Sequence, residues 1–174
     1  SIHDDLSRRD FSMNAIAMDP ETFELIDPFH GKQAIEKQMI ICVGNPNERF
    51  SEDALRIIRA IRFAAQLNFT VSHETMNAII ETRELLNNIS AERIRDEFNL
   101  MIQCENPSKA FEDLSHLGIL KVILPELEAM RGVAQPYEYH HEGDVWTHAM
   151  AALDSLTEEN FEDLKNNKKV KMTL

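Results

Sequence analysis

Cysteine is scarce: only Cys42 and Cys104 occur in 174 residues. Two thiols build neither a disulfide framework nor a four-cysteine zinc site, and such usage favours a reducing, cytoplasmic setting. No apolar run approaches the ~20 residues a membrane span requires, and no basic-then-apolar leader opens the chain. Neither a membrane partner nor secretion is therefore expected. An excess of positive charge is missing too. The chain has 18 Lys and Arg against 30 Asp and Glu, a formal net charge of −12. That balance excludes a generic nucleic-acid binder, so any role with nucleotides must rest on local arginines. No repeat of fixed period and no low-complexity tract occurs. With 43% hydrophobic and 28% charged residues, the composition is that of a soluble globular chain rather than a disordered one.

The order of patterns along the chain predicts a mainly α fold behind a short β-hairpin. Ala15-Ile16-Ala17-Met18 and Phe23-Glu24-Leu25-Ile26 flank the turn residues Asp19-Pro20-Glu21-Thr22, a hairpin signature. Asp27-Pro28-Phe29-His30-Gly31 punctuates the chain. Pro28 biases Asp27 away from helix and Gly31 can take positive φ, which places a domain hinge there. Helical periodicity follows. Ser51 is placed as an N-cap, with Glu52 and Asp53 in the first turn, where the helix dipole favours acids. Ala54, Ile57, Ile58, Ile61 and Ala64 form a buried stripe. Met76, Ile79, Ile80 and Leu86 repeat the pattern. Ser90 caps a third helix with stripe Ile94, Phe98 and Met101, and Asn106-Pro107 opens a fourth that Gly118 ends. Met13, Met18, Met76 and Met101 are expected as core filler. Both termini read as cut, and the lysine-rich block 160–174 completes no apolar pattern.

Two segments carry candidate chemistry. In Glu52-Asp53-Ala54-Leu55-Arg56, the spacings place Glu52 and Asp53 each next to Arg56 on a helix. Arg59 and Arg62 continue a row that drifts round the axis, leaving Arg62 nearly opposite Asp53. Such a face is either a solvated lattice of ion pairs or a nucleotide reader. In the second reading, Asp53 accepts from the exocyclic amine of cytosine or adenine while Arg56 donates to the adjacent ring acceptor. Uracil and guanine offer an oxygen where those bases offer the amine, and a well-placed pair is worth ~1–3 kcal/mol of discrimination. Arg59 and Arg62 would reach phosphates. Arg8-Arg9-Asp10-Phe11-Ser12-Met13-Asn14-Ala15 is the second segment. There Arg9 is a candidate triphosphate contact, with Asp10 and Asn14 holding the local turn or a ribose hydroxyl.

In this order, these segments resemble the class II tRNA nucleotidyltransferase and bacterial poly(A) polymerase family. That family carries Arg-Arg-Asp-Phe-x-x-Asn-Ala (here 8–15), Asp-Pro-Phe-x-Gly (27–31), Arg-Phe-x-Glu-Asp-x-x-Arg-x-x-Arg-Ala-x-Arg-Phe (49–63) and Ser-x-Glu-Arg-Ile-Arg-Asp-Glu (90–97). Leu117-Gly118-Ile119-Leu120 and Leu124-Pro125-Glu126-Leu127 fit as well. The resemblance implies three regions: residues 1–30 as the C-terminal end of an α/β nucleotidyltransferase head, 31–105 as a helical neck that reads the nucleotide, and 106–174 as the start of a helical body. It implies that Arg9, Asp53, Arg56, Arg59 and Arg62 bind nucleotide, with Glu52 bracing the reading arginine. The partners are CTP, ATP and a tRNA 3′ end, and the reaction is addition of C and A. Mg²⁺ would be the cofactor, held by an Asp-x-Asp segment after a Gly-Ser turn. Neither motif occurs in this sequence, so the 174 residues alone are expected to add no nucleotide. Two other readings compete: a non-catalytic helical module binding RNA or protein, and an incomplete HD-type phosphohydrolase. The latter rests on His140, His141, Asp144 and His148, a candidate metal cluster, but no later His-Asp pair completes it.

Overall fold

The computed structural model describes residues 1–135 and 143–155. Helix α1 (Ile2–Ser7) precedes the expected hairpin, whose strands β1 (Ala17–Met18) and β2 (Leu25–Ile26) are only two residues each and antiparallel. The Asp19 carboxylate shapes the turn by accepting from the Glu21 and Thr22 N–H groups at 2.8 and 3.0 Å. Met18 lies on the open face and is 56% exposed, correcting its assignment to the core, whereas Met101 is fully buried and Met13 and Met76 pack at the core's margin.

Helix α2 (Gly31–Glu36) begins where expected, but not for the expected reason. The residue at positive φ is His30, at 58°, rather than Gly31. Glycine is required at 31 by close approach: a Cβ there would lie 2.2 Å from the Ser12 carbonyl oxygen and 2.6 Å from Ile16 Cγ1. Asp27 satisfies the first amides of α2 from outside the helix, accepting from Gly31 N–H at 2.6 Å and Lys32 N–H at 3.0 Å.

Strand β3 (Met39–Ile40) pairs in parallel with β4 (Thr70–Val71), a pairing that the sequence did not announce. Between them run α3 (Pro46–Glu52) and α4 (Leu55–Leu67). Ser51 is therefore not an N-cap. Asn45 caps α3 by accepting from the Asn47 and Glu48 N–H groups, and Pro46 occupies the first turn, where no amide is needed. Asp53 is not helical either: it sits at the break in extended backbone (φ −152°, ψ 100°).

The α4 stripe is buried as its period requires. Ala54, Ile57, Ile58, Ile61 and Ala64 all face a core that runs from Phe11 to Met150. Helix α5 (His73–Thr82), capped by Ser72, contributes Ile79, while Ile80 turns outward, an exception to the expected stripe. A 3₁₀ turn (Arg83–Asn88) carries Leu86 into the core. Helix α6 (Ala91–Ile102) follows Ser90, and α7 (Pro107–His116) ends at Gly118, whose φ is 71°. Two short helices, α8 (Ile119–Ile123) and α9 (Pro125–Glu128), lead towards α10 (Val145–Asp154).

Helix α10 is fastened to α7 at both ends. Trp146 Nε1 donates to the Glu112 carboxylate, and Asp154 caps α7 by accepting from the Ser108 N–H and hydroxyl at 2.9 and 2.6 Å. Both cysteines are free, and burial pushes the Cys42 thiol up to about 12. Among the described residues, no helix is long and apolar enough to cross a membrane.

Candidate functional site

The break between α3 and α4 sets Asp53 at the mouth of a groove of about 610 Å³. Its walls include Arg8, Arg9, Asp10, Asn14, Asp53, Arg56, Arg59, Phe63 and Arg93. Asp53 Oδ1 accepts from Leu55 N–H at 3.2 Å, which starts α4, and Oδ2 accepts from Arg93 Nη2 at 2.8 Å. A carboxylate has about four acceptor sites, so Asp53 keeps capacity to accept from a ligand. The expected side-chain pair of Asp53 with Arg56 does not form, because a residue outside the helix does not follow its phase. Asp53 pairs with Arg93 across 40 positions of sequence instead.

Arg56 is held in place by the protein. Its Nη1 donates to Glu52 Oε2 at 3.0 Å and to the Arg49 carbonyl at 3.1 Å, and its Nη2 donates to the Arg8 carbonyl at 3.0 Å. Glu52 also takes Arg49 Nη2 at 2.5 Å, so the bracing role implied for Glu52 has a physical counterpart. Arg49 in turn donates to the Ser7 carbonyl at 3.1 Å. The two guanidinium groups thus satisfy carbonyls at the C-terminus of α1, the end where the helix dipole favours cations. Of the five guanidinium N–H bonds of Arg56, Nε–H and one on Nη2 remain for a ligand.

Asp10, from the N-terminal segment, lies under the groove. Its Oδ2 accepts from Arg59 Nε and Nη2 at 2.9 and 2.7 Å, and its Oδ1 from Phe11 N–H and Asn14 Nδ2 at 2.8 and 3.1 Å. Burial raises the Asp10 carboxyl, but the Asn14 and Arg59 hydrogen bonds and the Arg59 charge outweigh it and hold the group below its ordinary 3.8. The depressed value fixes the sign of a pH effect. Asp10 contributes stability that is complete above its unfolded value and is lost as pH falls through the lower folded value. Denaturant midpoints measured at about pH 5.5 and about pH 3 should therefore fall less for Asp10→Asn than for the parent chain. An equal fall in both would reject the assignment.

Arg9 reaches the groove wall with its guanidinium paired to Asp5 at 3.0 Å, both exposed. Arg62 does not reach it. Nine positions beyond Asp53, it points the other way and is buried. There its Nε donates to Glu97 Oε2 at 2.6 Å, a further N–H goes to Gln66, and its plane stacks on Phe63 at 4.0 Å. Two groove residues escaped the sequence reading. Arg8 lies beside Arg9, and Arg93 lies in the 90–97 segment, where local spacing points to no ligand. The groove wall carries five arginines, of which Arg9, Arg56, Arg59 and Arg93 are each paired with a carboxylate of the chain.

His140 and His141 lie outside the described residues. Asp144 serves as the N-cap of α10, accepting from the Thr147 N–H and hydroxyl and from Gly132 N–H, and these bonds lower its carboxyl to about 2. His148 donates its backbone N–H to the Asp144 carbonyl at 3.1 Å. Among the described residues, no three His, Cys, Asp or Glu side chains converge as a metal would require.

Two family models match the chain. One, described as "Poly A polymerase head domain", covers residues 1–41, and the other, "Probable RNA and SrmB- binding site of polymerase A", covers residues 68–131. A CCA-adding enzyme of Geobacillus sp. (strain WCH70) is 50% identical over 127 residues, which is 73% of this chain and 31% of the relative. The crystal structure of the Bacillus stearothermophilus CCA-adding enzyme in complex with CTP superposes with a TM-score of 0.66. It is 43% identical, over 68% of this chain and 30% of that one. A tRNA nucleotidyltransferase complexed with a primer tRNA and an incoming ATP analog gives a TM-score of 0.67 at 26% identity, over 95% of this chain and 54% of that one. The chain spans about a third of the length of the curated relatives it matches.

Proposed function

Because the chain belongs to the tRNA nucleotidyltransferase and poly(A) polymerase family, we propose that it supplies the base-reading groove of an enzyme adding C and A to a tRNA 3′ end from CTP and ATP. One observation carries this reading: Asp53 and Arg56, an acceptor and a donor with unused capacity, line one groove whose wall carries five arginines. Asp53 accepts from the exocyclic amine and Arg56 donates to the ring acceptor beside it, which selects C and A over U and G without a template. Arg9 and Arg59 meet the triphosphate, where guanidinium forks fit phosphate oxygens. Arg62 takes part from below, steadying Glu97 and through it Arg59, whose Nη1 lies 3.5 Å from Glu97 Oε1.

Within this proposal, residues 1–30 close the nucleotidyltransferase head, 31–105 form the neck and 106–174 open the body, in a cytoplasmic protein. Mg²⁺ is the metal such phosphoryl chemistry uses. The groove does not fit it, since the four acceptor sites of Asp10 are filled by N–H donors and Asp53 is paired with Arg93. No step is assigned to a metal on these residues, and the groove selects and holds rather than reacts.

The test is equilibrium binding of CTP, ATP, UTP and GTP to the chain. CTP and ATP are expected to bind at least about tenfold more tightly than UTP and GTP, and Arg56→Ala should remove the preference, in line with ~1–3 kcal/mol for a paired base contact. Equal affinity of the parent chain for all four would overturn the proposal.

A further inference from the structure

A second polar cleft, of about 420 Å³, shares no lining residue with the groove. It lies where α8 packs on the 3₁₀ turn Arg83–Asn88, beside the end of α7. Two of its lining residues are donors. Arg83 gives one of its five N–H bonds to the Leu117 carbonyl at 3.2 Å. Its guanidinium lies close over the left-handed turn at Gly118, where an added Cβ would stand 3.4 Å from Arg83 Cζ and Nε. The other N–H bonds of Arg83 have no partner among the described residues. Lys121, exposed on α8, has neither an ionic nor a hydrogen-bonded partner among them.

Two other lining residues, both exposed, are acceptors. Glu84 takes Asn87 Nδ2 at 3.4 Å on Oε2 and keeps Oε1 open. Asn87 also donates from that nitrogen to the Glu84 carbonyl at 3.1 Å, so its Oδ1 stays open.

These four side chains fit a ribose-phosphate backbone. A phosphodiester offers acceptor oxygens and one negative charge, and the adjacent 2′-hydroxyl offers a donor. Free pyrophosphate carries more charge and no such donor, so the Glu84 carboxylate repels it more than a diester. The 3₁₀ turn also joins the cleft to the groove. At its far end Asn88 lines a further pocket with Asp53 and Arg93, and those two also line the groove. The turn has 6 residues. At ~2 Å each they span roughly 12 Å, the rise of about three to four stacked nucleotides.

We propose that this cleft docks the backbone of the RNA strand whose 3′ end meets the groove. Arg83 and Lys121 hold a phosphate, Glu84 and Asn87 accept from the neighbouring 2′-hydroxyl, and no base is read. The identity of the strand rests on the function proposed above. The cleft adds to it a second point of attachment, outside the base-reading groove.

Fluorescence anisotropy tests the inference, with the 174-residue chain and a labelled RNA hairpin that has a single-stranded 3′ end. The DNA hairpin of the same sequence is the comparison, and both are measured at ~50 and ~200 mM salt. Lys121→Ala should weaken RNA binding about three- to tenfold at the lower salt and reduce the slope of log K against log salt by about one. Arg83→Gln should act in the same direction. Should it fail to fold, Lys121→Ala still decides, because its side chain holds no other group in place. Glu84→Ala should lower the preference for RNA over DNA about fivefold. Tighter binding of both hairpins by Glu84→Ala, with the preference unchanged, would show a carboxylate that only repels and would overturn the inference. RNA affinity unmoved by Lys121→Ala, or a parent chain that does not bind RNA at the lower salt, would overturn it too. So would pyrophosphate binding that Lys121→Ala weakens as much as RNA binding, by assigning the cleft to a free anion.

Titrations of CTP, ATP, UTP and GTP keep the two proposals apart, since Lys121→Ala should leave the nucleotide preference unchanged. A parent chain without that preference, whose RNA affinity still falls in Lys121→Ala, rejects the base-reading proposal alone. Preserved preference with unmoved RNA affinity rejects only the docking cleft.

Discussion

Arg62→Ala should lower the unfolding free energy by about 3–5 kcal/mol, the cost of stranding one member of a buried ion pair. The Arg62 and Glu97 side chains are only 7% and 8% exposed, and they meet at 2.6 Å. Removal of Arg62 also takes away the Gln66 contact and the stacking on Phe63. Glu97 keeps Arg59 at 3.5 Å, which places the loss nearer the lower end. Replacing the pair together, as Arg62→Met with Glu97→Met, should cost much less, since no charge is then left without a partner. Urea unfolding of the three variants measures the difference. A double variant as unstable as Arg62→Ala would show that the arginine acts through its packing rather than its charge.

Gly31→Ala is the second large effect, and its sign runs against the usual expectation. In the first turn of a helix, such a change commonly stabilises by about 0.4–1 kcal/mol through the unfolded chain. Here the added methyl would sit 2.2 Å from a backbone oxygen, Ser12 O, and 2.6 Å from Ile16 Cγ1. The Ile16 side chain can move aside, but the carbonyl moves only if the 3₁₀ turn Ser12–Asn14 moves with it. A loss of about 3 kcal/mol is expected, seen as a Tm lower by roughly 6–12 °C for a chain of this length. An unchanged Tm would mean that this turn gives way cheaply.

The helical part of the fold was legible because burial enforces period. Ile57, Ile58 and Ile61 recur on one face of α4, and all three reach the core. Gly118 and Pro107 marked helix ends for backbone reasons that hold in any context. The pairing of β3 with β4 was not legible, since two strands of two residues offer no alternation to detect. The cap expected at Ser51 for the helix of the Ala54–Ala64 stripe does not form, because Ser51 and Asn45 are both good caps by type and Ser51 lies inside α3. Asn45 wins by standing before a proline, and its helix then stops at Asp53.

Site residues close in sequence were found together, since Glu52, Asp53 and Arg56 announce themselves by spacing. Their partners were not, because Arg93 and Glu97 come from α6, 40 and 35 positions from the groups they bind. Local spacing set Arg62 apart from Asp53, although Asp53 itself lies outside the helix whose period gives that spacing its meaning. It could not say that the far side held a buried carboxylate rather than solvent.

The double use of Arg56 ties two events together. The same guanidinium that is offered to a base also grips the end of α1 through the Arg8 carbonyl. Coupling free energies are reciprocal. A ligand that orders Arg56 thereby tightens the attachment of the first ten residues, and anything that anchors those residues strengthens ligand capture by the same factor. Occupancy of the groove should consequently be felt at the amino terminus as slower amide exchange over 5–9.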